Sequence, residues 1–207
     1  MKLKEVIYYS KLLHKQNLVS STDGNLSVRI GDGFVITPTG VPKRELKVED
    51  LVNLDKNGKP LKNGKPSSEV NLHLEIYKRR KDVDGIVHAH PPFTIALSLI
   101  ADSLEDFPLS ETIITLGKVS IAPFKMPGSL ELAKEVADIL GEGRAVILKN
   151  HGAVTVGSSI KSAYYRMESL EHSSKILFLS KLLGTPSSFT KKQISDLNKI
   201  SKNYGLK

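Results

Sequence analysis

The stretch Gly85-Ile86-Val87-His88-Ala89-His90-Pro91-Pro92 constrains this chain more than any other. A short apolar run bounded by turn signals reads as a buried strand, and the two prolines end it because neither can donate to a ladder. Alternate residues of a strand share a face, so His88 and His90 project together from its exposed end. Any fold for this sequence must carry a strand that stops in two adjacent imidazoles. A lone pair at that spacing is often structural. A third candidate is His151, in the turn Asn150-His151-Gly152 that follows a second apolar run, 145–148. Three imidazoles with one position left open form a catalytic zinc arrangement, the ion acting as Lewis acid. Spacing alone does not bring His151 to the pair.

The chain has no cysteine, which excludes thiolate ligands and a disulfide framework. Any metal must be held by imidazole and carboxylate. Its 207 residues suit one domain over 1–207, and 40% hydrophobic and 25% charged residues are ordinary for a globular protein. No apolar run approaches the roughly 20 residues needed to span a bilayer. Lys2, Lys4 and Glu5 break up the N-terminus as a signal peptide. We therefore expect a cytoplasmic enzyme without a membrane partner. A net charge of +8 invites a nucleic-acid reading. Lysine and arginine are scattered, however, with short clusters only at 78–81 and 191–192, and aromatics do not interleave with them. We expect no nucleic-acid partner; an anionic small substrate fits the charge as well.

Along the chain, Leu3, Val6, Ile7, Leu12 and Leu13 mark an amphipathic helix over 3–16. Residues 26–30 and 34–36 form a hairpin around a three-residue loop, Gly31-Asp32-Gly33. A short strand at 51–54 ends in the turn Asp55-Lys56-Asn57-Gly58. Pro66-Ser67-Ser68 starts a helix through about Arg80, with a serine oxygen available to cap it. Further helices fall at 92–100, 129–140 and 159–183, and further strands at 85–90, 118–122, 145–148 and 153–156. A polar tail from about 186, read as mobile, closes the chain. The irregular mixture with early hairpins predicts an α/β fold: a single-domain mixed sandwich whose predominantly antiparallel central sheet is flanked by helices.

Three polar turns, Gly24-Asn25, Thr39-Gly40 and Ser67-Ser68, combine backbone N–H groups with small donors, as phosphate sites do. Turns of this composition are usually only turns. Glu69 follows the serines in the first turn of its helix. It either complements the helix dipole or lies beside a metal as ligand or proton carrier, and the spacing does not choose. His14, His73 and His172 read as helix residues with surface or structural roles.

Taken in order, Gly24-Asn25-Leu26-Ser27-Val28-Arg29, Thr37-Pro38-Thr39-Gly40, Gly64-Lys65-Pro66-Ser67-Ser68-Glu69, Val87-His88-Ala89-His90, Asn150-His151-Gly152 and Tyr204-Gly205-Leu206 span nearly the whole chain. Together they resemble the class II aldolase/adducin family, and within it the L-fuculose-1-phosphate aldolases. The resemblance implies that His88, His90 and His151 bind Zn²⁺, or another divalent cation. Glu69 would ligate the resting metal and serve as acid/base. Gly24, Asn25, Thr39, Gly40, Ser67 and Ser68 would hold the phosphate of a phosphorylated sugar. Tyr204 would close over the site from the tail and handle a proton at the aldehyde oxygen. The implied reaction is reversible cleavage to dihydroxyacetone phosphate and an aldehyde such as L-lactaldehyde, in a homotetramer with its site between subunits.

One block departs from that pattern. Where the aldolases carry a second tyrosine, this chain reads Ser110-Glu111-Thr112, which leaves Glu111 as a substrate-side, interface or merely surface residue. Within the family an L-ribulose-5-phosphate 4-epimerase is the nearest rival, but it usually places aspartate at position 69. A methylthioribulose-1-phosphate dehydratase ranks next. Adducin-like structural domains lack the complete histidine set that this chain retains. A zinc hydrolase would leave the three polar turns without a role.

Overall fold

Strands β1 (Asn25–Ile30), β2 (Gly33–Ile36), β3 (Val52–Leu54), β4 (Gly85–Ala89), β5 (Ser120–Ala122), β6 (Ala145–Leu148) and β7 (Gly152–Gly157) form one sheet in a computed structural model that describes residues 1–101 and 109–201. The seven strands lie in the order β3-β2-β1-β4-β7-β6-β5. Every neighbouring pair is antiparallel except β5 with β6. Around the sheet lie α1 (Lys2–Lys15), α2 (Val70–Arg79), α3 (Pro92–Ile100), α4 (Ser110–Leu116), α5 (Leu130–Leu140), α6 (Ile160–Leu183) and α7 (Lys191–Ser201). The predominantly antiparallel α/β expectation is borne out.

Helices cover both faces, which is why the central strands read as apolar runs rather than alternating ones. On β4, Val87 and Ala89 join the core beneath α1, α3 and α6, while Ile86 joins the core beneath α2 and α5. Burying a valine or isoleucine side chain contributes about 1.5–3 kcal/mol. His88, fully buried on the Ile86 side, interrupts that packing and must be satisfied by hydrogen bonds instead. Strand pairing sets Asn25 of β1 opposite His88. Asn25 and Ser27 therefore line the same face as His88, beneath α2.

Local details depart from the sequence reading, which placed no helix at α4. Ile30 pairs directly with Gly33, so the hairpin loop holds two residues, with Gly31 at φ 55°. Helix α2 starts at Val70, and Ser67 Oγ accepts from Glu69 N at 3.2 Å, one residue ahead of the helix. Helix α7 occupies part of the segment read as a tail; its last residue, Ser201, donates through Oγ to Ile114 O of α4 at 2.6 Å. The helix at 129–140 carries the expected ends, since Ser129 Oγ accepts from Leu132 N at 3.0 Å and Gly141 sits at φ 45°.

Helix α3 leaves the histidine pair directly, and Pro91 and Pro92 supply no N–H there. Its first free donors are Phe93 N and Thr94 N, and both give hydrogen bonds of 2.9 Å to the Glu171 carboxylate of α6. Thr94 Oγ1 adds a third at 2.9 Å. A single carboxylate thus caps α3 and pins the chain as it departs from His90. Glu171→Ala should lower folding stability by about 1–3 kcal/mol, read as a reduced urea midpoint at unchanged slope. An unchanged midpoint would mean that the cap carries no stability.

Candidate active site

The strand-end pairing holds. His88 and His90 place their Nε2 atoms 3.2 Å apart, and the β6–β7 turn brings His151 to the same point. The three ring centroids are separated by 5.0, 4.9 and 5.1 Å. One ligand nitrogen from each lies within 4.8 Å of the others. Two nitrogens bound tetrahedrally at zinc distances would stand roughly 3.3 Å apart, so the His88–His90 separation suits a cation between them. His88 Nδ1 donates to Ala153 O at 3.0 Å, which turns Nε2 toward the cluster. Asn150 makes the turn at φ 61°. Gly152 follows because a Cβ there would fall 2.4 Å from Ala89 O and 2.9 Å from His90 Cδ2.

Glu69 completes the cluster from the start of α2. Its Oε2 takes Asn25 Nδ2 at 3.1 Å and lies 2.8 Å from His88 Nε2. Oε1 lies 3.5 Å from His151 Nε2 and has no hydrogen-bond partner among the described residues, and His151 Nδ1 is likewise buried without one. Burial pushes the Glu69 carboxyl up, but His88, His151 and Asn25 together hold it well below the usual carboxylate range. Burial pushes His88 down, and Glu69 more than reverses this, leaving it raised. His90 and His151 are lowered to about 4, chiefly by burial and then by His88. Both rings are neutral at neutral pH and have lone pairs to offer. A buried carboxylate oxygen without a partner and three converging imidazoles fit a divalent cation.

The six residues of the polar turns all line one cavity of about 290 Å³, together with Glu69, His90 and His151. Thr39 N donates to Lys65 O at 3.2 Å and Ser67 N to Thr37 O at 3.1 Å, so two of the turns are stapled to each other. Ser68 lies at the N-terminal end of α2, where backbone N–H groups and the helix dipole favour an anion. Gly24 adopts φ 70°, and a Cβ there would meet Val19 Cγ1 at 2.6 Å and His88 O at 2.8 Å. Only glycine lets this loop close against β4.

Three residues acquire places that sequence reasoning missed. His73, read as surface or structural, is fully buried under β1 and joins Asn25 and Ser27. Its signal was its position four residues after Glu69, on the same helix face. Lys43 is fully buried and donates to Thr22 O at 3.0 Å, behind the cavity wall; nothing in its local sequence marks it. Asp23 also lines the cavity, with Oδ2 3.7 Å from His90 Nδ1. Glu111 is exposed and accepts from Ser110 Oγ at 2.9 Å, as a surface carboxylate would. Tyr204 lies outside the described residues.

Comparison with known proteins agrees with this geometry. Residues 4–178 match the family described as Class II Aldolase and Adducin N-terminal domain. An L-fuculose phosphate aldolase of Methanococcus maripaludis is 38% identical over 179 residues, covering 86% of this chain and 97% of the relative. A 5-deoxy-D-ribulose 1-phosphate aldolase of Bacillus thuringiensis is 31% identical, covering 98% and 96%. A 3-oxo-tetronate 4-phosphate decarboxylase of Haemophilus influenzae is 38% identical, covering 75% and 76%. Among solved structures, the L-fuculose-1-phosphate aldolase from Thermus thermophilus superimposes with a TM-score of 0.81 at 35% identity, covering 90% of this chain and 98% of its own.

The lowered imidazoles give the metal-free protein a signed response to acid. In the fold His90 and His151 sit at about 4 and His73 at about 3, against about 6.5 in an unfolded chain. The unfolded chain therefore takes up more protons as the pH falls below 6.5, and folding stability declines. Between roughly 6.5 and 4.5 the neighbouring groups do not oppose this. The contribution of His88, which is raised, is fully present below its unfolded value. The contribution of Glu69, which is lowered, is lost only below the carboxylate range. Urea midpoints of metal-free protein should fall steadily from pH 6.5 to 5, and a flat profile over that range would contradict the assignment of three neutral imidazoles.

Proposed function

The chain belongs to the class II aldolase and adducin family and is a lyase, and from that premise we propose that it is a metal-dependent aldolase acting on a small phosphorylated ketose of the L-fuculose-1-phosphate type. The products are dihydroxyacetone phosphate and a short aldehyde such as L-lactaldehyde, and the reaction is reversible. One observation carries the reading: a cluster of three imidazoles, of which His90 and His151 line the cavity, meets a carboxylate with an unengaged oxygen and three small polar turns at that same cavity.

Each group has a distinct task. The turns at Gly24-Asn25, Thr39-Gly40 and Ser67-Ser68 hold the phosphate, aided by the N-terminal end of α2. A divalent cation, zinc in our reading, held by His88, His90 and His151 with Glu69 as resting ligand, would supply Lewis acidity toward the substrate carbonyl. Glu69 removes the proton from the hydroxymethyl carbon of dihydroxyacetone phosphate in synthesis and returns it there in cleavage. Its lowered pKa makes it a weak base, so it depends on an acidified carbon partner. Tyr204 is assigned the proton on the aldehyde oxygen. We extend the reading to a homotetramer with the site at a subunit boundary. The exposed Phe124, Met126 and Leu130, around the cavity residue Pro127, support that extension.

A second reading, decarboxylation of a 3-oxo-tetronate 4-phosphate, is supported by the name of the Haemophilus influenzae relative. It needs the same carbonyl activation, with carbon dioxide leaving in place of an aldehyde. Zinc-loaded protein should release dihydroxyacetone phosphate from L-fuculose-1-phosphate. Carbon dioxide from the oxo acid alone would favour the second reading, and conversion of L-ribulose-5-phosphate without free triose would favour epimerisation. His88→Ala should lose bound metal, and full retention by elemental analysis would sink the ligand set. Glu69→Gln should remain folded and lower kcat/KM by about 10²–10⁴-fold.

A further inference from the structure

Two periodicities meet beneath the site. Asn25 and Ser27 are alternate residues of β1, while Glu69, His73 and Tyr77 recur every four residues at the start and along one face of α2. Interdigitated, they form one buried row. Tyr77 Oη lies 2.9 Å from Ser27 Oγ, Ser27 Oγ 2.6 Å from His73 Nδ1, His73 Nε2 2.5 Å from Asn25 Oδ1, and Asn25 Nδ2 3.1 Å from Glu69 Oε2.

Donor chemistry gives this row one direction. The Glu69 carboxylate can only accept, so Asn25 must present its amide N–H to it and its carbonyl oxygen to His73. His73 Nε2 must then carry the hydrogen. His73 is fully buried, and burial lowers its pKa to about 3, so the ring is neutral and Nδ1 is bare. Ser27 therefore donates to Nδ1 and accepts from Tyr77. Every N–H or O–H from Tyr77 onward points toward Glu69, and such chains polarise each bond in turn.

We propose that His73 is a positioning residue for the reaction: acting through Asn25, it fixes Glu69 with Oε2 engaged and Oε1 left free for the metal and the reacting proton. This rests on the reading of Glu69 as ligand and proton carrier. The alternative ring tautomer would force the Asn25 amide to flip, setting its carbonyl against the carboxylate. Asn25 also lines the phosphate cavity, so the same row couples the anion-binding wall to the carboxylate.

The test combines the wild type with two variants. Nitrogen-15 histidine spectra of the metal-free protein should show His73 as the neutral Nε2–H tautomer; the Nδ1–H form would overturn the proposal. His73→Phe, with its fold checked by circular dichroism, should bind zinc about 10–100-fold more weakly in a chelator competition and lose a similar factor in kcat. The loss should fall more on kcat than on KM. His73→Gln, whose amide can still donate to Asn25, should recover most of both. Unchanged zinc affinity in folded His73→Phe, or no recovery in His73→Gln, would overturn it. If His73→Phe does not fold, the tautomer and the glutamine variant decide. Tautomer and zinc affinity are read without turnover. A wrong aldolase assignment alone would therefore appear as an inactive wild type with both signatures intact.

Discussion

A carboxylate buried at the start of α2 dictates the arrangement around it. Glu69 is 7% exposed, and an ionised carboxylate out of water costs several kcal/mol unless it is paired and hydrogen-bonded. The fold answers with His88 from β4 on one side and Asn25 from β1 on the other. Because Asn25 and His88 are register partners in the sheet, a single strand pairing supplies both. The core on either face then holds that pairing, since shifting β1 by one residue would turn Asn25 and Ser27 into the opposite core.

The rigid and variable parts of the site divide along the same line. Histidines and carboxylate stand on strand ends and a helix start, fixed by a sheet covered on both faces. The polar wall of the cavity is made of turns, but two of them are stapled by the Thr39–Lys65 and Ser67–Thr37 backbone bonds. A site built this way can hold its chemistry while the remainder of the substrate changes. Relatives of about equal identity to this chain carry both aldolase and decarboxylase names. Carbonyl activation is common to both reactions, and what differs is the group that leaves.

How far the sequence could be read follows from the range of the interactions. His88 and His90 were legible because period-two alternation and a proline stop are local rules. The caps at Ser129 and Gly141 were legible for the same reason. His151 was visible only as a candidate, since its approach depends on β7 pairing with β4. Glu69 was ambiguous between dipole and ligand in the sequence, and its contact with Asn25 was invisible there because it depends on the β1–β4 register. The ordered family blocks joined these residues; spacing did not. Helix α4 escaped because seven residues show too little periodicity. Helix α7 escaped because it lies in a polar stretch and buries no side chain completely. His73 and Lys43 look like ordinary helix and loop residues until burial is known.

Lys43 is a second buried charge beside the site. Burial lowers its pKa to about 8, so it is still largely charged at neutral pH despite the cost. Among the described residues its hydrogen-bond partners are the carbonyls of Thr22 and Val41. Asp23 is the carboxylate that offsets part of its desolvation. Thr22 and Asp23 both line the cavity, so the ammonium stands directly behind the wall that a phosphate would face. In a partly buried setting such a charge is screened less than a surface lysine is. The net charge of +8 on the whole chain said little about substrate, because most of it is scattered over the surface. One buried cation behind a glycine-bearing loop says more: it places a fixed positive charge beside a cavity whose own charged lining residues are the carboxylates Asp23 and Glu69.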